Sequence, residues 1–220
     1  MTNCMRMIVT AGPTREYLDP VRFLSNRSTG KMGYAIAVAA QQRGHDVHLI
    51  SGPVVIAPPD AVHCTQIGSA QEMHDAVLQH LHQADVLVMC AAVADWRPRQ
   101  IATSKLKKHE MEATLQLERT ADILEAVKLR RRPDQLIVGF AAETDAVLDH
   151  ARDKLMRKGL DAIVANDVSR ADAGFGVDTN AVTLITRAGE CETFPLMSKQ
   201  LVAQKLIAWI EGQISARGHQ

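Results

Sequence analysis

The residues of this chain best suited to chemistry are cations set among small residues. Ser25 to Ala40 reads SNRSTGKMGYAIAVAA, a polar run, then Gly30-Lys31, then an apolar helical pattern. Ser28 and Thr29 stand where a helix N-cap belongs, and Gly30 and Gly33 let a helix start approach a ligand or a neighbouring backbone closely. Such a helix start presents unpaired N–H groups and favours anions, phosphate among them. The common phosphate templates do not fit. A P-loop needs Gly five residues before the Gly-Lys pair and Ser or Thr after it, and those places hold Ser25 and Met32. The dinucleotide fingerprint needs three spaced glycines straight after a strand, where the chain reads GPTREY. A capped helix after a structural connection explains the same residues, but a loop as long as Pro13 to Thr29 leans towards function.

Two further groups of cations stand out. In CAAVADWRPRQIATSKLKK, Cys90 to Lys108, a buried strand ends in small residues, offers Asp95 and runs into Lys105, Lys107 and Lys108. Lysines on such a segment can close over a triphosphate and neutralise charge on departing pyrophosphate; a solvated charge run is the alternative. Lys154 and Lys158 lie four apart beside a stripe of Val147, Leu148, Ala151 and Leu155. They can lay their stems along a sheet edge and bring ammonium groups to a crevice, or simply snorkel. The nine histidines form no HExxH or similar pair, and metal ligands stay unidentified. His74, His80 and His82 read as solvated surface.

These groups need positioning elements, and strand-like and helix-like patterns alternate. Strands are expected at Met7–Gly12, His45–Pro53, Ala61–Ile67, Ala84–Asp95, Ala113–Arg119, Gln135–Glu143 and Asp161–Asp167. Helices are expected over Gly30–Arg43, after Ser69 as N-cap, after Thr120 as N-cap, and over Asp145–Lys158. Periodicity lapses through Trp96–Met111. Asn180–Phe194 reads as a hairpin turning at Ala188-Gly189, and a last helix follows Ser198 as N-cap. Five strand-then-helix pairs specify an α/β, Rossmann-like three-layer fold with a mainly parallel sheet, a C-terminal hairpin and a helix, as one domain over residues 1–220. Ligands of such sheets bind beyond the carboxyl ends of the strands, which selects the loops after Gly12, Gly52, Ala91, Phe140 and Ala165.

Composition narrows the classes. Twenty-five basic and 25 acidic side chains balance, which argues against a general nucleic-acid binder. No apolar run approaches a membrane span, and the start MTNCMRMIV is too short for a signal peptide. Cys4, Cys64, Cys90 and Cys191 show no CxxC spacing, so a reducing, cytoplasmic setting is expected.

The blocks TAGPTREYLDPVRFLSNRSTGKMGYAIA, CAAVADWR, SKLKK, VGFAAET and ANDV, in this order and spacing, resemble the phosphopantothenoylcysteine synthetases from about Met7 to about Ile210. The resemblance implies a homodimer that joins 4′-phosphopantothenate to L-cysteine with CTP and Mg²⁺ through an acyl-cytidylate. The carboxylate attacks the α-phosphorus and expels pyrophosphate; the cysteine amine then displaces CMP. By the same resemblance Asn26 serves the intermediate, Arg22 assists it by binding phosphate, and Lys105 serves activation. Met89, Cys90, Ala91, Asp95, Lys105, Ala121, Asp122, Ile123, Leu124, Phe140, Lys154 and Lys158 match nucleotide-contacting positions. Ala121 stands where the family commonly has Pro, which frees one N–H. Cys90 is expected to be an inert wall thiol. The decarboxylase half that precedes this module in most bacterial relatives is not in the sequence, so a separate decarboxylase partner is one expectation and an excised domain another. The wording of SNRSTGKMG and CAAVADWR favours CTP over ATP. A nicotinamide-dependent reductase on the same fold and a non-catalytic nucleotide-binding module are the rival readings. The reductase lacks an acidic residue closing the second strand, where HLISGP ends.

Overall fold

The computed structural model describes residues 4–107, 114–143, 145–168, 172 and 174–217. Lys108, the Ala113 start of an expected strand, and Thr144 lie outside them.

The most apolar runs make the middle of one eight-stranded sheet. The strands are β1 (Arg6–Ala11), β4 (Asp46–Ser51), β5 (His63–Gln66), β6 (Val86–Met89), β9 (Leu136–Glu143), β10 (Ala162–Asp167), β11 (Thr179–Thr186) and β12 (Cys191–Ser198), in the order β12-β11-β10-β9-β6-β1-β4-β5. β5 to β10 run parallel, and the hairpin β11–β12 adds two antiparallel strands. Strands buried on both faces read as continuous Val, Ile and Leu, and β6 is VLVM with every residue buried. The turn of β11–β12 falls at Gly189, φ 91°, as expected.

Helices cover both faces. α1 (Lys31–Gln42) and α5 (Lys199–Arg217) pack on one side through Ile36, Ala37, Leu206 and Ile207. α2 (Ala70–Leu81), α3 (Ile123–Arg130) and α4 (Val147–Arg157) cover the other through Met73, Val77, Val127 and Leu155. Alternation along β1 divides it between the two: Met7, Val9 and Ala11 face one layer and Ile8 the other. All five expected helices form, but only α1 to α4 lead on to a further parallel strand; α5 follows the antiparallel hairpin β11–β12 instead of β10. β4 passes to β5 with no helix between, as the two successive strand patterns imply.

The starts of α1, α2 and α3 are capped in three different ways. Ser69 accepts from Glu72 N–H and Glu72 reaches back, a full capping box. Neither Ser28 nor Thr29 caps α1: Gly30 holds the N-cap with φ 79°, and Thr29 instead donates to Phe175 O at 2.7 Å. Asp122, not Thr120, caps α3, because Thr120 is spent on Ala94 O at 2.6 Å.

Two small ribbons stand off the sheet. β2 (Arg15–Tyr17) pairs with β3 (Phe23–Ser25) inside what reads as loop, and β7 (Trp96–Pro98), where periodicity lapses, pairs with β8 (Leu117–Arg119), the end of the strand expected at Ala113–Arg119. β2, β3 and β7, three residues each, are too short for alternation to reveal. The first ribbon is tied to the sheet edge by Arg15 N–H to Gly68 O at 2.8 Å and by Ala70 N–H to the buried Glu16 carboxylate at 2.8 Å.

Candidate functional site at the carboxyl edge of the sheet

β1 sits where the chain reverses direction across the sheet, going to β4 on one side and β6 on the other. Such a point opens a crevice beyond the strand ends. Thr10, buried at the end of β1, closes the strand ends: its Oγ accepts the N–H groups of Cys90 and Ala91, each at 3.1 Å. Thr14 takes Ala94 N–H at 3.0 Å. These threonines turn the chain after β6 outward and leave a cavity of about 880 Å³ beside it.

The cavity gathers most of the residues singled out in the sequence. Met89, Cys90, Ala91 and Asp95 line it from the end of β6 and the loop beyond, and Ala121, Asp122, Ile123 and Leu124 from the start of α3. Phe140, Lys154, Lys158 and Asn26 complete that set. Gly30, Lys31 and Gly33 bring the start of α1 to the same wall. Gly33 serves close packing there, since a Cβ on it would lie 2.6 Å from Ala11 Cβ and 2.9 Å from Thr10 O. Arg22 and Lys105 do not line the cavity. Arg22 lies on the Asp19 carboxylate beyond the first ribbon, and Lys105 is exposed next to Leu106. The loop after Gly52 contributes no wall either.

The cations are held in distinct ways. Lys154 Nζ donates to Phe140 O at 2.8 Å, and burial lowers its pKa. Lys158 is buried and pairs with Asp122. Burial works against the Asp122 charge, yet the Lys158 ammonium and the Glu125 N–H bring its carboxyl below the usual range. A carboxylate thus caps α3, as the helix dipole favours, while turning one lysine into the cavity wall. Burial pushes the Cys90 thiol up to about 12, which makes it a neutral wall residue as expected. Asn26 donates through its side-chain amide to Ala92 O at 3.0 Å and Val93 O at 3.2 Å, stitching the first ribbon to the loop after β6.

Sequence reasoning missed two residues of this wall. Lys199, at the first turn of α5, is buried, and its Nζ donates to the carbonyls of Gly174, Val177 and Thr179. Burial first, and Lys31 nearby second, lower its pKa. A serine N-cap followed by Lys looks ordinary, so nothing in the sequence marks it. Asn166, at the end of β10, belongs to the ANDV block, but no role attaches to it there. Its Oδ1 is the single buried side-chain polar atom without a partner among the described residues, and the residue lines the cavity. A buried acceptor left open favours a ligand that brings an N–H or O–H donor.

No group of three His, Cys, Asp or Glu side chains able to hold a metal occurs among the described residues. Asp95 and Glu143, beside the paired Asp122, are the carboxylates on the wall, oxygen donors of the kind a divalent cation takes. No helix among the described residues is long and apolar enough to cross a membrane.

Comparison with known proteins places this geometry. A 46% identical relative from Bacillus subtilis (strain 168) and a 48% identical one from Mycobacterium bovis are both named coenzyme A biosynthesis bifunctional protein CoaBC, and they match 91% and 92% of this chain. The chain spans about half the length of these curated relatives, 50% and 51%. A crystal structure of the C-terminal domain of such a CoaBC protein superposes with a TM-score of 0.83 at 42% identity, over 96% of each chain. Residues 3–213 match the model of the DNA/pantothenate metabolism flavoprotein C-terminal domain, and the chain belongs to that family.

Proposed function

We propose that the chain is a phosphopantothenate–cysteine ligase. It activates 4′-phosphopantothenate with CTP and passes the acyl group to L-cysteine, within coenzyme A biosynthesis. One observation carries the reading: the residues assigned to the nucleotide by resemblance, Lys105 aside, meet in one cavity at the carboxyl edge of a parallel sheet.

The physical problem is an unreactive carboxylate. Attack on the α-phosphorus of CTP converts it to a mixed anhydride with CMP as leaving group, and pyrophosphate departs with the electron pair of the broken P–O bond. The protein's part is placement and charge. Lys154 and Lys158, with the unpaired N–H groups at the start of α1, offer positive potential where the phosphates lie. Asp95 and Glu143 would face a magnesium ion carried on the triphosphate, and the ion would supply positive charge to its oxygens. The cysteine amine then adds to the acyl carbonyl, loses a proton, and CMP leaves. In the structure both N–H bonds of the Asn26 amide go to carbonyls; serving the acyl phosphate means exchanging them for charged oxygens, which are stronger acceptors.

The two ribbons also expose apolar side chains: Tyr17, Val21 and Phe23 on one, Trp96 and Leu117 on the other. A patch of this kind suits a second copy of the chain, in line with a homodimer. The product keeps the cysteine carboxylate, and a decarboxylase that removes it is the partner the resemblance implies.

The decisive assay supplies phosphopantothenate with CTP, ATP, UTP or GTP. Pyrophosphate release that requires phosphopantothenate and is fastest with CTP, followed by amide formation on adding cysteine, is expected. Binding of nucleotide without any pyrophosphate release would leave only a binding module. Light scattering at working concentration reads the dimer.

A further inference from the structure

The two catalytic cations that stand off the cavity wall share one anchor. Asp19 lies at the turn between β2 and β3 and is fully buried. One carboxylate oxygen accepts the N–H groups of Val21 and Arg22, each at 2.8 Å, which an aspartate in any tight turn can do. The other oxygen does something a turn does not require. It takes Arg22 Nε at 3.0 Å and Nη2 at 2.5 Å, and also the N–H of Leu106 at 3.2 Å, a residue 87 positions along the chain. Arg22 Nη2 then donates to Leu106 O at 3.1 Å, so guanidinium and carboxylate together hold both backbone groups of Leu106. Ala102 N–H to Leu18 O at 2.9 Å adds a second tie between the same two segments. Lys105 is the neighbour of Leu106.

We propose that Asp19 is a positioning residue that couples Arg22 to the Lys105 segment, so that the cation serving the acyl phosphate and the cation serving activation are placed as one unit. This rests on the ligase reading for the roles of Arg22 and Lys105, but not for the coupling itself. A buried carboxylate without counter-charge is costly, and one that meets five donors from two segments fixes both. Moving either segment leaves the acid short of donors, and the other segment then loses its anchor. Asp19→Asn keeps the size and loses the charge and one acceptor, so it loosens Leu106 and the Arg22 fork together.

Two measurements test this. The first is amide hydrogen exchange in the free chain: Asp19→Asn is expected to raise exchange at Leu106 at least tenfold, while Arg15 and Ala70 at the other end of the ribbon stay protected. Unchanged exchange at Leu106 overturns the coupling whatever the chain catalyses. Should Asp19→Asn fail to fold, Arg22→Lys, which keeps the acid and removes the fork, carries the same expectation. The second is a double-mutant cycle on pyrophosphate release at saturating CTP and phosphopantothenate. Lys105→Gln is expected to slow release about tenfold in the native chain and less than twofold in the Asp19→Asn background. Equal losses in the two backgrounds reject the coupling. A native chain that releases no pyrophosphate rejects the ligase reading instead and leaves the exchange result to decide on Asp19.

Discussion

The cavity has a rim and a fringe, and they hold cations by different physics. On the rim, Lys154 and Lys158 project from α4 and its last turn, with stems buried against the sheet and ammonium groups tied to Phe140 O and Asp122. On the fringe, Arg22 and Lys105 stand on or beside short ribbons, and their placement depends on one buried acid. The rim is fixed to the sheet and to the helices packed on it. The fringe is held off the core by a few hydrogen bonds. On the proposed reading the contrast amounts to a division of labour: rim groups would bind the nucleotide, and fringe groups would act as charge changes during reaction.

Asn26 belongs to both regions, following β3 and reaching the loop after β6, so its replacement gives the largest expected effect. Asn26→Asp is expected to cut amide formation at least 100-fold and to leave pyrophosphate release within about threefold. The new carboxylate loses both donors and repels the phosphate of the intermediate; 100-fold corresponds to about 2.7 kcal/mol. Rapid quench should show acyl-cytidylate accumulating. Equal loss in both half-reactions would show that Asn26 serves as a stitch between regions and not as a partner of the intermediate.

The rim can be broken at Gly33. A methyl group there meets Ala11 Cβ at 2.6 Å and Thr10 O at 2.9 Å, strand atoms that cannot yield. Gly33→Ala is expected to cost roughly 2–3 kcal/mol, as overpacking does, and to lower Tm by about 5–10 °C. The start of α1 must lift, so nucleotide affinity falls as well. A fully stable Gly33→Ala variant would mean that the rim is softer than its packing implies.

The division itself is tested by a pair. Lys154→Gln is expected to weaken nucleotide binding about tenfold with little change in kcat, and Lys105→Gln to lower kcat about tenfold with little change in binding. Calorimetric titration with CTP, set beside single-turnover pyrophosphate release, separates the two. If both variants lose binding alone, the fringe is only a looser part of the rim.

How much of this could be read from the chain follows the same line. The central strands and both helix layers were legible because each is an apolar run or stripe long enough to show its period, as in VLVM and in Val147, Ala151 and Leu155. The rim was legible through the strand-end rule, which needs only strand positions. The first ribbon was not, nor was Trp96–Pro98 of the second, since such three-residue strands are too short to alternate; only β8 showed, as the end of the alternating Ala113–Arg119. For that reason Arg22 had a role only by resemblance, and Lys105 stood out only as one of three lysines in a charge run. Asp19 had none, because an aspartate before Pro20 looks like a turn until Leu106 is seen upon it. Cap assignments failed where a hydroxyl found a better acceptor across the chain, as Thr120 does in Ala94 O.

The smallest effect concerns where the fringe meets the sheet. His48 on β4 stacks edge-on between His63 of β5, with ring centroids 4.5 Å apart, and His80 of α2, at 4.3 Å. Its Nε2 meets Thr65 Oγ at 2.8 Å. Burial, then the neighbouring imidazoles, lower its pKa from the usual 6.5 to about 4, with Asp46 opposing. The unfolded chain therefore binds a proton below about pH 6.5 that the folded chain refuses until about pH 4. Stability is full above that window and falls as pH drops through it. His48 is only partly buried, so solvent screening discounts the loss to about 1 kcal/mol. The strand β5 edge leads directly to Gly68, which accepts Arg15 N–H of the first ribbon. Amide exchange at pH 5 should rise in β5 and at Arg15 before it rises in β9, and His48→Gln should flatten the change. Uniform loosening across β5 and β9 would show that the edge and the centre of the sheet open as one, and that the fringe has no separate stability to lose.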